Sequence, residues 1–286
     1  MTKVLLTGAD GQFGTDFRAL HGSDWEIVPL DLAQCDIRDL DEVRQAVAAA
    51  RPAFVVHAAA WTDVDGAEKD PDRAFAVNAL GSRNVAVAAE EAGAWLVALS
   101  TDYVFSGKLA RPYHEFDEPG PVNVYGQSKL AGERAVAGFC RRHTIVRTAW
   151  LYGRTGANFP NRILRLARDK AARGEALRVV NDQWGNPTST AALAGLVHGL
   201  LRDPLPGVVH GSCEGATTWF EFARQVLDAL AVPVRLEPCP TADVPRPAAR
   251  PMNAALDKLV LRLEGRAPMP HWLDALQSWL PEIRHA

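Results

Sequence analysis

Short aliphatic and β-branched runs alternate with longer stretches of helical periodicity through the first half of the chain. Lys3–Thr7, Glu26–Leu30, Phe54–His57, Trp95–Ser100 and Thr144–Thr148 have strand length and read as apolar runs rather than as polar alternation, which predicts strands buried on both faces. Between them Leu40, Val43, Ala46, Val47 and Ala50 recur at helical spacing, and Ala74–Glu91 is alanine-rich and helix-prone. Strands alternating with helices are the mark of βαβ units, so the expected fold class is α/β, a doubly wound parallel sheet with a smaller C-terminal lobe.

After about Thr148 the pattern loosens. Helical stretches are expected near Asn158–Arg173, Thr190–Leu201, Trp219–Ala229 and His271–Trp279, separated by segments rich in proline and glycine. Pro233, Pro238, Pro240, Pro245, Pro247 and Pro251 break the stretch between them into extended loop rather than helix. The expected division is 1–150, carrying the sheet, and 151–286, mainly the lobe, with some segments returning to the sheet.

Composition narrows the picture. With 286 residues, 48% hydrophobic and 23% charged, the chain has the means to bury a full core. A net charge of −3, without a block of lysine or arginine, offers nothing to neutralise a phosphate backbone, so nucleic acid is not an expected partner. Cys35, Cys140, Cys213 and Cys239 are scattered, without zinc-ligand spacing, and read as reduced, buried small hydrophobes. No apolar run reaches the roughly 18 residues of a membrane span, and Met1-Thr2-Lys3 leads straight into a strand. The expected compartment is the cytoplasm.

Candidate chemistry begins right after the first strand, at Gly8-Ala9-Asp10-Gly11-Gln12-Phe13-Gly14, where a helix opens. Glycines there allow a tight turn and close backbone approach, and a helix N-terminus offers free N–H groups to a pyrophosphate. Asp31 closes the second strand, about 20 residues on, where an acid accepts the ribose hydroxyls of a dinucleotide. No basic residue follows it before Arg38, which favours NADH over NADPH. Asp36-Ile37 offers a carboxylate and an apolar side chain of the kind that brackets an adenine. Tyr125 and Lys129 lie four apart in a helical stretch and so share one face. An ammonium beside a phenol stabilises the phenolate, and the expectation is a tyrosine that exchanges protons nearer neutral pH than a free phenol. Upstream, Ser100-Thr101-Asp102-Tyr103-Val104-Phe105 ends the fourth strand, where ligands sit in open α/β sheets, with a hydroxyl to hold a substrate oxygen.

In this order these residues resemble the extended short-chain dehydrogenases, and the closer wording resembles the dTDP-4-dehydrorhamnose reductase family. The likeness runs nearly end to end, through Gly8-x-x-Gly11-x-x-Gly14, Ala58 to Asp65, Ser100 to Phe105, Asn123 to Glu133, Arg147 to Gly153, Asn181 to Thr188, and Arg250-Pro251-x-Asn253-x-x-Leu256-Asp257. The resemblance implies that Gly11, Gln12 and Phe13 contact the dinucleotide phosphates, Asp31 the ribose, Asp36 and Ile37 the adenine side, and Ala60, Trp61 and Thr62 the inner cofactor face. It makes Thr101, Tyr125 and Lys129 a catalytic triad, with Tyr125 and Lys129 also against the cofactor. It places Thr101, Asp102 and Trp150 at the sugar and Arg250 at the nucleotide end of a dTDP-sugar. Trp150 reads equally as core, and Arg250 equally as the brace of a loop.

Where the related dehydratases continue Asp102 with a glutamate, this chain has Tyr103, so hydride transfer is the more economical reaction. The reaction implied is reduction of the C4 ketone of dTDP-4-dehydro-L-rhamnose, with NADPH or NADH both expected to work. Rival readings are a sister 4-keto-6-deoxy-sugar nucleotide reductase, an epimerase, or a non-catalytic subunit resembling the beta subunit of methionine adenosyltransferase. Retention of Thr101, Tyr125 and Lys129 argues against the last. Some members of the family are described with magnesium at a dimer contact; no acidic cluster in this sequence compels a metal. The chain is expected as a monomer or homodimer.

Overall fold

A computed structural model describes residues 1–283; Arg284, His285 and Ala286, the end of the expected second segment, lie outside the described residues. Six strands form the central sheet: β1 (Lys3–Thr7), β2 (Glu26–Leu30), β3 (Phe54–His57), β4 (Trp95–Thr101), β5 (His143–Thr148) and β6 (Gly207–His210). Their order is β2-β1-β3-β4-β5-β6, and every pairing is parallel. Helices of ten or more residues are α1 (Gln12–His21), α2 (Leu40–Ala50), α3 (Ser82–Glu91), α4 (Val124–Phe139), α5 (Phe159–Ala172), α6 (Thr190–Arg202), α7 (Trp219–Ala229) and α8 (Trp272–Ile283).

The alternation of side chains along each strand divides the interior in two. Val4 and Leu6 of β1 face Phe13, Phe17, Leu193 and Val197 of α1 and α6. Leu5 faces the opposite way, into Val43 and Val47 of α2 and Val85 and Ala89 of α3. Both faces are covered, which is why the strands read as apolar runs.

Strand β6, from residues 207–210, joins the sheet beside β5, and neither its position nor its length was legible beforehand. The second segment's own core gathers Tyr152, Phe222, Trp272, Leu276 and Trp279 between α5, α7 and α8. In the proline-rich stretch no α-helix forms, but it is more than loop: Leu236–Cys239 pairs in parallel with Leu177–Val180. Pro238 sits in this two-stranded edge, where a missing N–H is tolerated. The stretch 74–91 also departs from a plain helix. A short helix Pro71–Phe75 passes through a π-helical turn, Ala76–Gly81, before α3 begins.

Candidate active site

Strand order reverses at β1, with β2 on one side and β3 on the other, so a crevice opens at their carboxyl ends. Gly8 turns out of β1 with φ +68°, and a Cβ there would stand 2.7 Å from the Ala59 nitrogen of the loop after β3. Only glycine lets the two loops touch. Helix α1 then starts at Gln12, and no side chain caps it, so its first N–H groups face the crevice edge free of a side-chain partner. An uncapped helix N-terminus behind a glycine turn fits a dinucleotide pyrophosphate.

The other residues expected at the cofactor lie around this loop in several roles. At Phe13 only the backbone is left for the crevice, because the ring is buried and stacks on Phe17. The Gln12 side chain reaches away to the second segment: Oε1 accepts from Gly153 N (3.1 Å) and Asn158 Nδ2 (3.0 Å), and Nε2 donates to Leu151 O (3.3 Å). It therefore ties the phosphate loop to the lobe. Asp31 braces the same loop, its Oδ2 accepting from Asp10 N at 2.9 Å. Asp36 is engaged by Arg38 through both carboxylate oxygens, and Ile37 is buried against Gly81 and the α3 side of the core. The Trp61 backbone, with Ala60 and Thr62 beside it, is clamped by Asn78, which donates to Trp61 O (3.0 Å) and accepts from Trp61 N (2.8 Å).

The hydroxyl and the phenol lie at the end of β4, and the ammonium reaches the same strand two residues earlier. Thr101 lies beside Thr148 of β5 in register, donates from Oγ1 to Asp102 Oδ1 at 2.9 Å, and stands next to the Tyr125 phenol. Helix α4 begins at this point because Asn123 caps it, its Oδ1 accepting from Gly126 N at 2.8 Å while Nδ2 donates to Ala249 O. One turn later, Lys129 donates from Nζ to Leu99 O at 2.8 Å.

Here the electrostatics differ from the sequence expectation. Burial pushes the Tyr125 phenol up to about 12, with the Thr101 hydrogen bond opposing, and burial pulls Lys129 down to about 8, with Glu133 opposing. Desolvation sets the phenol's value, and the Lys129 ammonium is turned to the Leu99 carbonyl instead. A phenol that keeps its proton through the neutral range is in the form that protonates an alkoxide.

Several residues that sequence reasoning passed over hold this triad. Buried His57 links Thr7 Oγ1 (2.7 Å) to Ser82 Oγ (3.1 Å), Ser82 donates to Asn78 O, and Asn78 donates to Ser128 Oγ, which donates to Tyr125 O. His57 is held neutral, at about 3, by burial and by the Lys129 charge. The π-helical turn carries Asn78 into this chain of bonds. On the other flank Glu133 accepts from Ser100 (2.5 Å) and pairs with Arg147 through both oxygens (2.9 and 2.7 Å), all buried. The available signal was polar residues on otherwise apolar helix faces: Asn78 and Ser82 four apart, and Glu133 one turn after Lys129.

Asp102 is buried, with Oδ2 unpaired, and desolvation raises its carboxyl to about 7. Because the folded value lies above the unfolded one, the stability that goes with the proton is full below pH 4 and is lost as pH rises to 7. Asp102→Asn should therefore unfold like the wild type near pH 4 and become the more stable form above pH 7, by up to about 4 kcal/mol. Urea titrations across pH measure the gap; a gap independent of pH would mean Asp102 stays ionised in the fold.

Trp150 closes the first segment and Arg250 lies in the second. Trp150 follows β5 with φ +45°, and its indole stacks flat on Trp219, centroids 3.5 Å apart and planes at 9°. Arg250 pairs with Asp65 at 3.0 Å, donates to Ala248 O at 2.8 Å and lies 6.0 Å from the Tyr103 ring centroid. Tyr103 packs edge-on against Tyr125, so Arg250 braces a loop at the wall of the phenol. Among the described residues one group has three potential metal ligands within 4.8 Å, His21, Asp24 and His198, near the amino end of β2 and away from the triad. Its imidazoles are stacked 4.3 Å apart, and His198 Nδ1 accepts from Trp25 Nε1. No described helix is long and apolar enough to cross a membrane.

The family model for the RmlD substrate binding domain matches residues 1–285. A dTDP-4-dehydrorhamnose reductase of Streptomyces griseus is 42% identical over 98% of this chain and 93% of its own. A dTDP-4-keto-6-deoxy-D-glucose reductase of Streptomyces niveus is 40% identical over 97% and 96%. Among solved structures, dTDP-4-dehydrorhamnose reductase from Bacillus anthracis in complex with NADP matches with a TM-score of 0.95 at 40% identity, covering 99% of this chain and 100% of that one. With a Rossmann-type sheet, a glycine loop at its switch point and a Thr–Tyr–Lys triad at the end of β4, the chain belongs to the RmlD substrate binding domain family and, within it, groups with the dTDP-4-dehydrorhamnose reductases.

Proposed function

We propose that the protein is an NAD(P)H-dependent oxidoreductase that reduces the C4 ketone of dTDP-4-dehydro-L-rhamnose to dTDP-L-rhamnose. The observation that carries this reading is the gathering of Thr101, Tyr125 and Lys129 on the last residues of β4, in a sheet whose switch point carries an uncapped, glycine-led helix N-terminus. A bound reduced nicotinamide supplies the hydride. Thr101 and Tyr125 hold the ketone oxygen, and Tyr125 gives its proton to the alkoxide as charge develops. Lys129 anchors the ribose edge and supplies the positive charge that steadies the phenolate left behind. Asp102, with a carboxyl oxygen unpaired, and Trp150 line the sugar, Arg250 faces the nucleotide end, and 151–286 serves mainly as the substrate lobe. The compartment is the cytoplasm, and the unit is a monomer or homodimer.

The Streptomyces niveus relative, named for a different keto sugar, keeps a sister reductase as the second reading. Oxidation of NADPH on addition of dTDP-4-dehydro-L-rhamnose, set against dTDP-4-keto-6-deoxy-D-glucose, ranks the two. Faster turnover of the second compound would replace the substrate and leave the chemistry intact.

Both cofactors should work, with Asp31 favouring NADH by repelling a 2′-phosphate. Asp31→Asn keeps an oxygen for Asp10 N and removes the charge, so the ratio of kcat/KM values should move towards NADPH by about tenfold. Steady-state kinetics with each cofactor measures it; an unchanged ratio would place the carboxylate's charge away from the 2′ position.

A further inference from the structure

We propose that Trp219 is a positioning residue of the sugar site, which holds the Trp150 indole as a flat apolar wall against the deoxy-sugar ring; this rests on the reading of Trp150 as part of that site. Trp150 stands two residues past Thr148, whose register partner in β4 is Thr101, so the chain leaves the sheet next to the triad. Its indole packs against the cluster of Val104, Phe105 and Leu130, immediate neighbours of Tyr103 and Lys129 in the chain, and also against the lobe core.

Two features show that the orientation of this ring is imposed. A bulky residue with φ +45° is a backbone outlier, of the kind that collects at ligand sites. The stack is also closer and flatter than aromatic pairs adopt when free to slide or tilt, at 3.5 Å and 9°. The surroundings enforce it. Trp219 is fixed by Nε1 donating to Gln183 Oε1 at 3.1 Å, by Phe159 at 4.5 Å between ring centroids, and by Thr218, which caps the helix it opens. At the Nε1 and Cζ2 edge of Trp150 lies Gly185, where any Cβ would overlap the indole. The stretch Gln183-Trp184-Gly185, which the catalytic reading left without a task, thus supplies both the anchor for one ring and the clearance for the other.

Calorimetric titration with dTDP and with dTDP-L-rhamnose separates a sugar wall from ordinary packing, because only the second ligand carries the sugar. Trp219→Ala should weaken dTDP-L-rhamnose by about tenfold while dTDP and the cofactor KM change by less than about twofold. Trp219→Phe, which keeps a flat face, should recover most of the loss, and Trp150→Ala should reproduce it. Trp219→Leu stands in if the alanine variant fails to fold. Unchanged binding in the Trp219 variants, or equal weakening of both ligands, would overturn the proposal and leave Trp219 a core residue. If instead Trp150→Ala binds both ligands like the wild type, or the wild type binds dTDP-L-rhamnose no better than dTDP, the functional reading beneath it fails.

Discussion

Tyr125→Phe is expected to lower turnover by about 10²–10⁴-fold while the cofactor KM changes little. The ring is buried and packs edge-on against Tyr103, and the phenylalanine keeps that contact. What is lost is the phenol O–H next to Thr101. Thr101 is no substitute, because its hydroxyl is a far weaker acid and its one proton is donated to Asp102, so the alkoxide has no competent proton source. Stopped-flow and steady-state rates with saturating keto sugar would show the loss; a rate within about threefold of wild type would remove Tyr125 from the chemistry.

The largest effect on stability is expected at Glu133. Its carboxylate is the one acceptor drawn by Ser100 and by two Arg147 nitrogens in a buried place, and Arg147 Nη1 already lacks a partner. Glu133→Ala leaves a guanidinium 4% exposed without its counter-charge, a change worth about 3–5 kcal/mol of destabilisation. The same loss removes the charge that opposes the fall of the Lys129 value, so Lys129 should titrate below about 8 and activity at neutral pH should drop in the protein that still folds. Urea unfolding measures the first effect and the pH–rate profile the second. A stability loss under about 1 kcal/mol would mean that Arg147 finds solvent or another anion.

The parallel sheet was legible because buried strands have little choice but to be apolar, and five of its six strands appear within a residue or two of the runs that announced them. Strand β6 escaped because Gly207-Val208-Val209-His210 is short and follows a proline-rich turn, so that only its partner β5 shows it to be a strand. The edge strand at Leu236–Cys239 escaped for a similar reason: two prolines hide an extended segment whose pairing is non-local.

At the site, the Tyr125–Lys129 spacing and the glycine turn were readable since each is a local constraint on backbone or helix face. The phenol's high value was not, because it comes from burial contributed by distant elements, and neither was Gln12 as a tie to the lobe, whose partners lie well over a hundred residues away. The π-helical turn at Ala76–Gly81 leaves no mark on an alanine-rich helical pattern, yet it delivers Asn78 to both Trp61 and Ser128.

The central claim is that hydride from the cofactor reaches C4 of a dTDP-linked 4-keto-6-deoxy sugar while Tyr125 protonates the oxygen. Incubating the protein with dTDP-4-dehydro-L-rhamnose and NADPH deuterated at nicotinamide C4 on the transferred face, then examining the product by NMR, tests it directly. The predicted result is dTDP-L-rhamnose with deuterium at C4 alone, formed in step with NADPH consumption by the wild type and barely at all by Tyr125→Phe. Unconsumed NADPH in the presence of a bound keto sugar, or a product interconverted without deuterium, would contradict it.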